Sequence, residues 1–233
     1  MIKLLLLIFK SKAFFTVGSM LLSIGAYTLL FGWRYAVGIV LLLLVHEMGH
    51  YYAARRRGLE VGLPTFIPFL GAWVQLKDQP RDAETDAYIA MAGPLAGTLA
   101  AVACFFAARN TGDGLLLALA YTGFLINLIN LAPAGMLDGG HITAAVSPRL
   151  WLLGSPLMVA LFFVIPNPLF LLIALFSWPY FRTAIKGVPA DAPFFQVPLA
   201  TRINYGVFYI GLAAFLGAMT YLIHRDLQAL YHH

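Results

Sequence analysis

Charge is what this chain has least of. Charged residues make up 11% of its 233 positions and hydrophobic ones 61%, with a mean hydropathy of +0.82. A soluble domain carries about 25% charged residues, so most of the exterior must face lipid. Cysteine is nearly missing too. Cys104 stands alone, which excludes an intramolecular disulfide and leaves a small residue in an apolar run. No small-residue cleavage site follows the basic, apolar leader Met1–Lys12, which reads as an uncleaved anchor. The net charge of +5 forms no basic stripe. Lys and Arg are scattered at the ends of apolar runs, which assigns them to membrane topology and excludes nucleic acid as a partner. Soluble sensor domains, internal repeats and low-complexity tracts are also absent.

What is present is a series of six apolar runs, at about 13–31, 35–54, 83–108, 115–131, 151–178 and 203–223. Lipid offers no partner to a bare peptide group, so spans of this kind must be helices. The expected fold is an all-α polytopic membrane protein of about six transmembrane helices, one transmembrane domain over 1–233. Its catalytic core lies at about 35–145, with 13–31, 151–178 and 203–223 as peripheral spans. With the N-terminus in the cytoplasm, Lys3, Lys10, Lys12 and Arg55–Arg57 all lie inside. The run at 151–178, broken by Pro156, Pro166 and Pro168, is expected to cross once as a kinked helix. The last run has no ionisable residue between Arg202 and His224 and is expected to lack polar ties to the core. Two segments fit neither span nor plain loop. Leu63–Lys77, punctuated by Pro64, Pro68 and Gly71, reads as a β-hairpin re-entering the membrane after the second span. Asn127–His141 reads as a helix end unwinding through Pro133 and Gly135.

The strongest chemical signal is His46-Glu47-Met48-Gly49-His50. Residues four apart share a helix face, so both imidazoles can grip one metal ion while Glu47 stands beside them as a base. Ionisable groups inside a span are costly and mark function by default. Catalytic zinc takes three protein ligands and keeps an open position. Candidates for the third are Asp138, His141, Glu60 and Glu84. Glu60 and Glu84 sit at the water boundary, where solvation suits them better. Asp138 precedes Gly139 and Gly140, which let backbone turn sharply and pack closely. His141 is its serious rival.

Taken together, His46-Glu47-x-x-His50, Ala92-Gly93-Pro94-Leu95-Ala96-Gly97, Asn130-x-x-Pro133 and Leu137-Asp138-Gly139-Gly140 resemble the site-2 protease family of intramembrane zinc metalloproteases. The likeness covers about residues 35–145. It implies that His46, His50 and Asp138 ligate Zn2+, that Glu47 is the general base, and that Asn130 hydrogen-bonds the substrate or its oxyanion. Asn127, one turn earlier, is expected to be a structural polar contact, and no chemistry is assigned to Gly93-Pro94. The resemblance further implies cleavage of single-span membrane proteins in a lipid bilayer. The expected setting is a multi-pass protein of the plasma membrane with its active site toward the cytoplasm. The chain shows no PDZ domain and no CBS pair, so nucleotide regulation is not expected. The alternative is a catalytically silent metal-binding relative that sequesters a membrane partner; the intact Glu47 argues against it.

Overall fold

The computed structural model describes residues 12–189 and 191–231. The leader anchor expected at Met1–Lys12 falls almost wholly outside them. Helix α1 (Lys12–Phe31) and helix α2 (Trp33–Arg56) form an antiparallel pair. A two-stranded antiparallel sheet follows, β1 (Thr65–Ile67) and β2 (Gly71–Trp73), in the register Thr65↔Trp73, Phe66↔Ala72, Ile67↔Gly71. Then come α3 (Ala83–Thr111), α4 (Gly114–Asn130), the short α5 (Asp138–Val146), α6 (Trp151–Val164), α7 (Pro168–Lys186) and α8 (Leu199–Tyr231). Five of these helices are long and apolar enough to cross a membrane. The exterior fits that: Leu29, Val164 and Leu199 are each more than 70% exposed, which only lipid makes tolerable.

Local chemistry sets the boundaries. Asp82 caps α3 by accepting the Thr85 N–H at 2.7 Å, and Asp113 caps α4 through Leu115 at 2.8 Å. Such caps satisfy donors that a helix start leaves orphaned. The β-hairpin does re-enter. Its strand β1 packs along α1, with the Phe66 N–H 3.2 Å from Ser19 Oγ and the Phe69 N–H 3.1 Å from the Tyr27 hydroxyl. Tyr27 lies 14 residues into α1 from Ala13, roughly 21 Å at 1.5 Å per residue. The hairpin tip therefore sits deep along a membrane-crossing helix.

The run at 151–178 does not form one kinked span. Pro166 and Pro168 supply no backbone N–H, and Asn167 Oδ1 accepts from the Leu169 N–H at 3.0 Å, starting a new helix. Pro168 at the first position of that helix suits its fixed φ. Helices α6 and α7 then fold back on each other, Ser155 Oγ donating to the Ala174 carbonyl at 3.4 Å. At their base Trp151 meets both Tyr180 and Phe195 edge-on, at 5.2 and 6.0 Å. The second limb continues past Arg182 to Lys186, 19 residues in all, about 28 Å of helix at 1.5 Å per residue. The chain thus returns to the end at which it left, and Arg182, Lys186 and Arg202 join the end carrying Arg55–Arg57. A cysteine at position 186, in a Cys104→Ala background, is expected to react with an impermeant thiol reagent from the same side as one at position 56. Labelling from opposite sides would restore the single crossing.

The last span also departs from expectation. The Tyr209 hydroxyl donates to the Leu131 carbonyl at 2.5 Å, and Arg109 meets Asp226 at 3.4 Å. Leu212, Leu216 and Ile223 are buried in one cluster with Ala120, Phe124 and Leu131. Tyrosine supplied the polar tie that a search for ionisable residues could not find. α8 is therefore a fixed wall of the core.

Candidate metal centre

The centre is built where α2 and α3 cross on small residues. A Cβ at Gly49 would overlap the Ala92 carbonyl and lie 3.0 Å from the Ala96 Cβ. This close approach brings α3 against the α2 face that carries His46 and His50. Pro94 within α3 removes one backbone donor, and Thr98 Oγ1 returns a hydrogen bond to the Pro94 carbonyl at 2.5 Å. Asp138 arrives from a third direction. After α4, the chain turns tightly through Leu131–Leu137, held by Leu137 N–H to the Ala134 carbonyl at 2.8 Å. Gly139 and Gly140 are pressed against the carbonyls of Leu131, Ala132 and Ala134, where any side chain would collide. Asp138 then occupies the first turn of α5, an end of the helix dipole that favours a carboxylate.

His46, His50 and Asp138 each offer one donor atom within 4.8 Å of the others. The two Nε2 atoms are 3.1 Å apart, and they lie 3.1 and 3.3 Å from the Asp138 oxygens. The opposite ring nitrogens settle the tautomers. His46 Nδ1 lies 2.8 Å from Asn127 Oδ1, and the Asn127 amide is oriented by its own Nδ2 donating to the Gly123 carbonyl at 2.7 Å. His50 Nδ1 lies 2.8 Å from the Ile89 carbonyl. Both partners are acceptors, so both Nδ1 atoms carry the proton and both Nε2 atoms present lone pairs. Despite the 3.1 Å approach of His46, Asp138 Oδ2 is buried without a hydrogen-bond partner. Two lone pairs and a carboxylate facing one another call for a cation. Tetrahedral zinc with donors at about 2.0–2.1 Å would space them about 3.3 Å apart. The donor set fits.

Glu47 is 5% exposed, and its carboxylate interacts with the Val74 backbone N–H at the exit of β2. The base, the donor cluster and the re-entrant hairpin are therefore in one place.

Residues 34–113 match the model of peptidase family M50. The matched stretch is 80 residues, about a third of the chain. Similar proteins include "Probable zinc metalloprotease EGY2, chloroplastic" of Arabidopsis thaliana, 30% identical over 158 residues, 49% of this chain and 28% of that protein. Zinc metalloprotease MJ0392 of Methanocaldococcus jannaschii is 31% identical over 120 residues, 48% of this chain and 34% of its own length. The chain thus spans about a third or less of these relatives. Among solved structures, the site-2 protease from Methanocaldococcus jannaschii aligns at a TM-score of 0.48 and 19% identity, over 74% of this chain and 89% of that one. Zinc, named for these relatives, is a metal that the donor chemistry fits.

His141 is not with the donors. Its Nδ1 lies 2.9 Å from Asp86 Oδ2, linking α5 to the first turn of α3. Burial opposes charging that imidazole, but the Asp86 carboxylate outweighs it, so the ring titrates above the ordinary histidine value. Glu60 is engaged with Lys77 at 2.6 Å, and Glu84 lends only its backbone carbonyl, to Tyr205 at 3.4 Å. Asn130 closes α4 half-buried, and among the described residues its side chain makes no hydrogen bond. Asn127 is the polar contact expected, and more: it orients His46. Partners of this kind fix a ligand's tautomer and are commonly worth 10–100-fold in metal affinity. Gly93 was passed over, yet it lies directly against both His rings. Its pairing with His50 depends on which helices touch, which no spacing in the chain reveals.

Proposed function

We propose that this chain is an intramembrane zinc endopeptidase that cleaves single-span membrane proteins within or near their spans. The observation that carries the proposal is Glu47, buried in a span beside three convergent metal-type donors and uninvolved in holding them. His46, His50 and Asp138 would hold the ion. Zinc, when bound, polarises the scissile carbonyl and favours ionisation of water. Glu47 takes the proton of the attacking water and later delivers it to the leaving amine nitrogen. The Asn130 amide, free to donate, steadies the oxyanion. Asn127 and the Ile89 carbonyl keep each imidazole proton on Nδ1, so neither ring can be turned aside.

Substrate helices hide their peptide bonds, and the hairpin beside Glu47 offers an edge for an unwound segment. The N-terminus and the site face the cytoplasm of a plasma membrane in this reading. Support comes from Arg55–Arg57, Arg149, Arg182, Lys186 and Arg202 sharing one end, against Arg34, Arg109 and Arg225 at the other. The test is purified protein in vesicles with candidate single-span substrates. Cleavage is expected with zinc, to vanish with a chelator and to return on re-addition. Chelator-resistant cleavage would overturn the assignment.

A further inference from the structure

The three donors of the metal centre do not hold one another in place. The two Nε2 lone pairs lie 3.1 Å apart and 3.1 and 3.3 Å from the Asp138 carboxylate oxygens. Acceptors facing acceptors gain no hydrogen bond and repel until a cation stands between them. His46 and His50 are fixed all the same, by one helix backbone and by Asn127 and the Ile89 carbonyl. Asp138 comes from a separate helix, α5, only nine residues long. The placement of α5 therefore decides whether the third donor is available.

Apolar packing gives α5 little grip on the start of α3. The buried residues that the two helices bring to one cluster there are Ala83 and Ala87 of α3 with Ala144 and Ala145 of α5. Small residues permit close approach, but a methyl group offers no knob against sliding or rotation. Ile142 is the one large buried side chain of α5. A polar contact supplies what the alanines lack. His141 Nδ1 lies 2.9 Å from Asp86 Oδ2, and because the acceptor is a carboxylate, Nδ1–H donates. Among the described residues this is the one side-chain hydrogen bond from α5 to α3. Bonds to a charged partner are roughly twice as strong as neutral ones. Its placement is directional. His141 is three residues from Asp138 and shares its helix face. Asp86 is seven residues, or two turns, from Gly93, on the same side of α3. Gly93 lies against both imidazoles, about 10 Å along the helix from Asp86 at 1.5 Å per residue. The link thus joins the metal-facing sides of both helices. From α6, the Trp151 Nε1–H donates to the Gly140 carbonyl at 2.8 Å and steadies the same turn of α5.

Building on the zinc site proposed above, we propose that the Asp86–His141 pair is the strut that holds α5 where Asp138 meets the two imidazoles. Both are positioning residues: they stand outside the donor cluster and act through Asp138. With α5 held in advance, the ion does not have to order that helix as it binds, and preorganised donors bind more tightly. The strut also accounts for a histidine that stands one turn from a ligand without being one.

The test separates positioning from two polar groups that merely satisfy each other. His141→Leu alone strands the Asp86 carboxylate and destabilises the fold on either account. The double variant His141→Leu, Asp86→Leu removes both groups, and its thermal stability is expected to return close to that of the wild type. Its zinc affinity, read on the purified full chain by competition with a chromophoric chelator, is expected to stay about 10–100-fold weaker, as when ligand orientation is disturbed. Two single variants give a second reading that does not depend on the double variant folding. An Asn amide N–H stands where Nδ1 of His141 stands, whereas that of Gln falls near the place of Nε2. His141→Asn is expected to keep zinc affinity close to wild type, and His141→Gln to lose as much as the double variant. Wild-type affinity in the double variant, or equal affinity in the Asn and Gln variants, overturns the strut and leaves the zinc protease reading standing. A wild-type chain that binds no zinc overturns both.

Discussion

Replacing Glu47 with Gln is expected to abolish cleavage while leaving zinc content near that of the wild type. The carboxylate lies beside the donor cluster without belonging to it. His46 and His50 present their Nε2 atoms to Asp138, whereas Glu47 turns toward Val74. Glutamine keeps the volume and can still meet a backbone group, so helix α2 and its packing should survive. What is lost is the capacity to accept a proton. General base catalysis is worth about 10²–10⁴-fold, and cleavage should fall by at least that much. Metal analysis of the purified variant, alongside turnover of a single-span substrate, reads both quantities. A variant that binds zinc and still cleaves would move the base elsewhere. One that loses its zinc would make Glu47 a ligand.

Gly93→Ala is expected to be nearly as damaging, by the opposite route. A Cβ there would fall on Nε2 of His50 and 2.8 Å from Nε2 of His46, the two atoms that face the metal position. Neither ring can retreat freely. Asn127 and the Ile89 carbonyl hold their far sides at 2.8 Å, and the α2–α3 crossing is already in contact at Gly49. One methyl group should therefore lower zinc affinity by about 10–100-fold, the range seen when ligand orientation is disturbed. A misplacement of about 1 Å is enough for a further 100-fold in rate. Gly217→Ala, on α8 with nothing within 4 Å of the added carbon, is the matched control. It should keep full zinc and full activity. If Gly93→Ala binds zinc as tightly as the control, the closeness of α3 to the imidazoles has no consequence for the metal.

Much of this protein is legible in its residue order because some physical rules act locally. The shortage of charge implies lipid, and lipid implies helices. A spacing of four puts His46 and His50 on one face whatever surrounds them. Prolines and Gly71 between apolar residues announce a turn, and the hairpin is there. Asp138 was a candidate because two glycines after it permit close packing, and those glycines do press against neighbouring carbonyls. His141 stood beside it as a rival because composition is blind to direction. One residue faces the metal position and the other, one turn away, faces Asp86.

The remainder depends on which helices touch, and that is a long-range property. Pro166 and Pro168 break the fifth run under either a kink or a reversal. The contacts of Trp151 with Tyr180 and Phe195, and of Ser155 with Ala174, show that the chain turns back. The last span carries no charge for 21 residues after Arg202, so its tie through Tyr209 to Leu131 emerges only when α8 is seen against the end of α4. Asn127 and Gly93 are ordinary in one dimension and adjacent to the two imidazoles in three. Residue order by itself determined the solvent, most of the secondary structure and the chemical type of the site, because hydropathy and helical periodicity are set by near neighbours. Tertiary structure alone brought Asp138, and not His141, beside the two imidazoles and supplied the partners that fix them. Those depend on side-chain directions across packed elements, and packing brings together residues that the chain keeps more than 80 positions apart, as with His46 and Asn127.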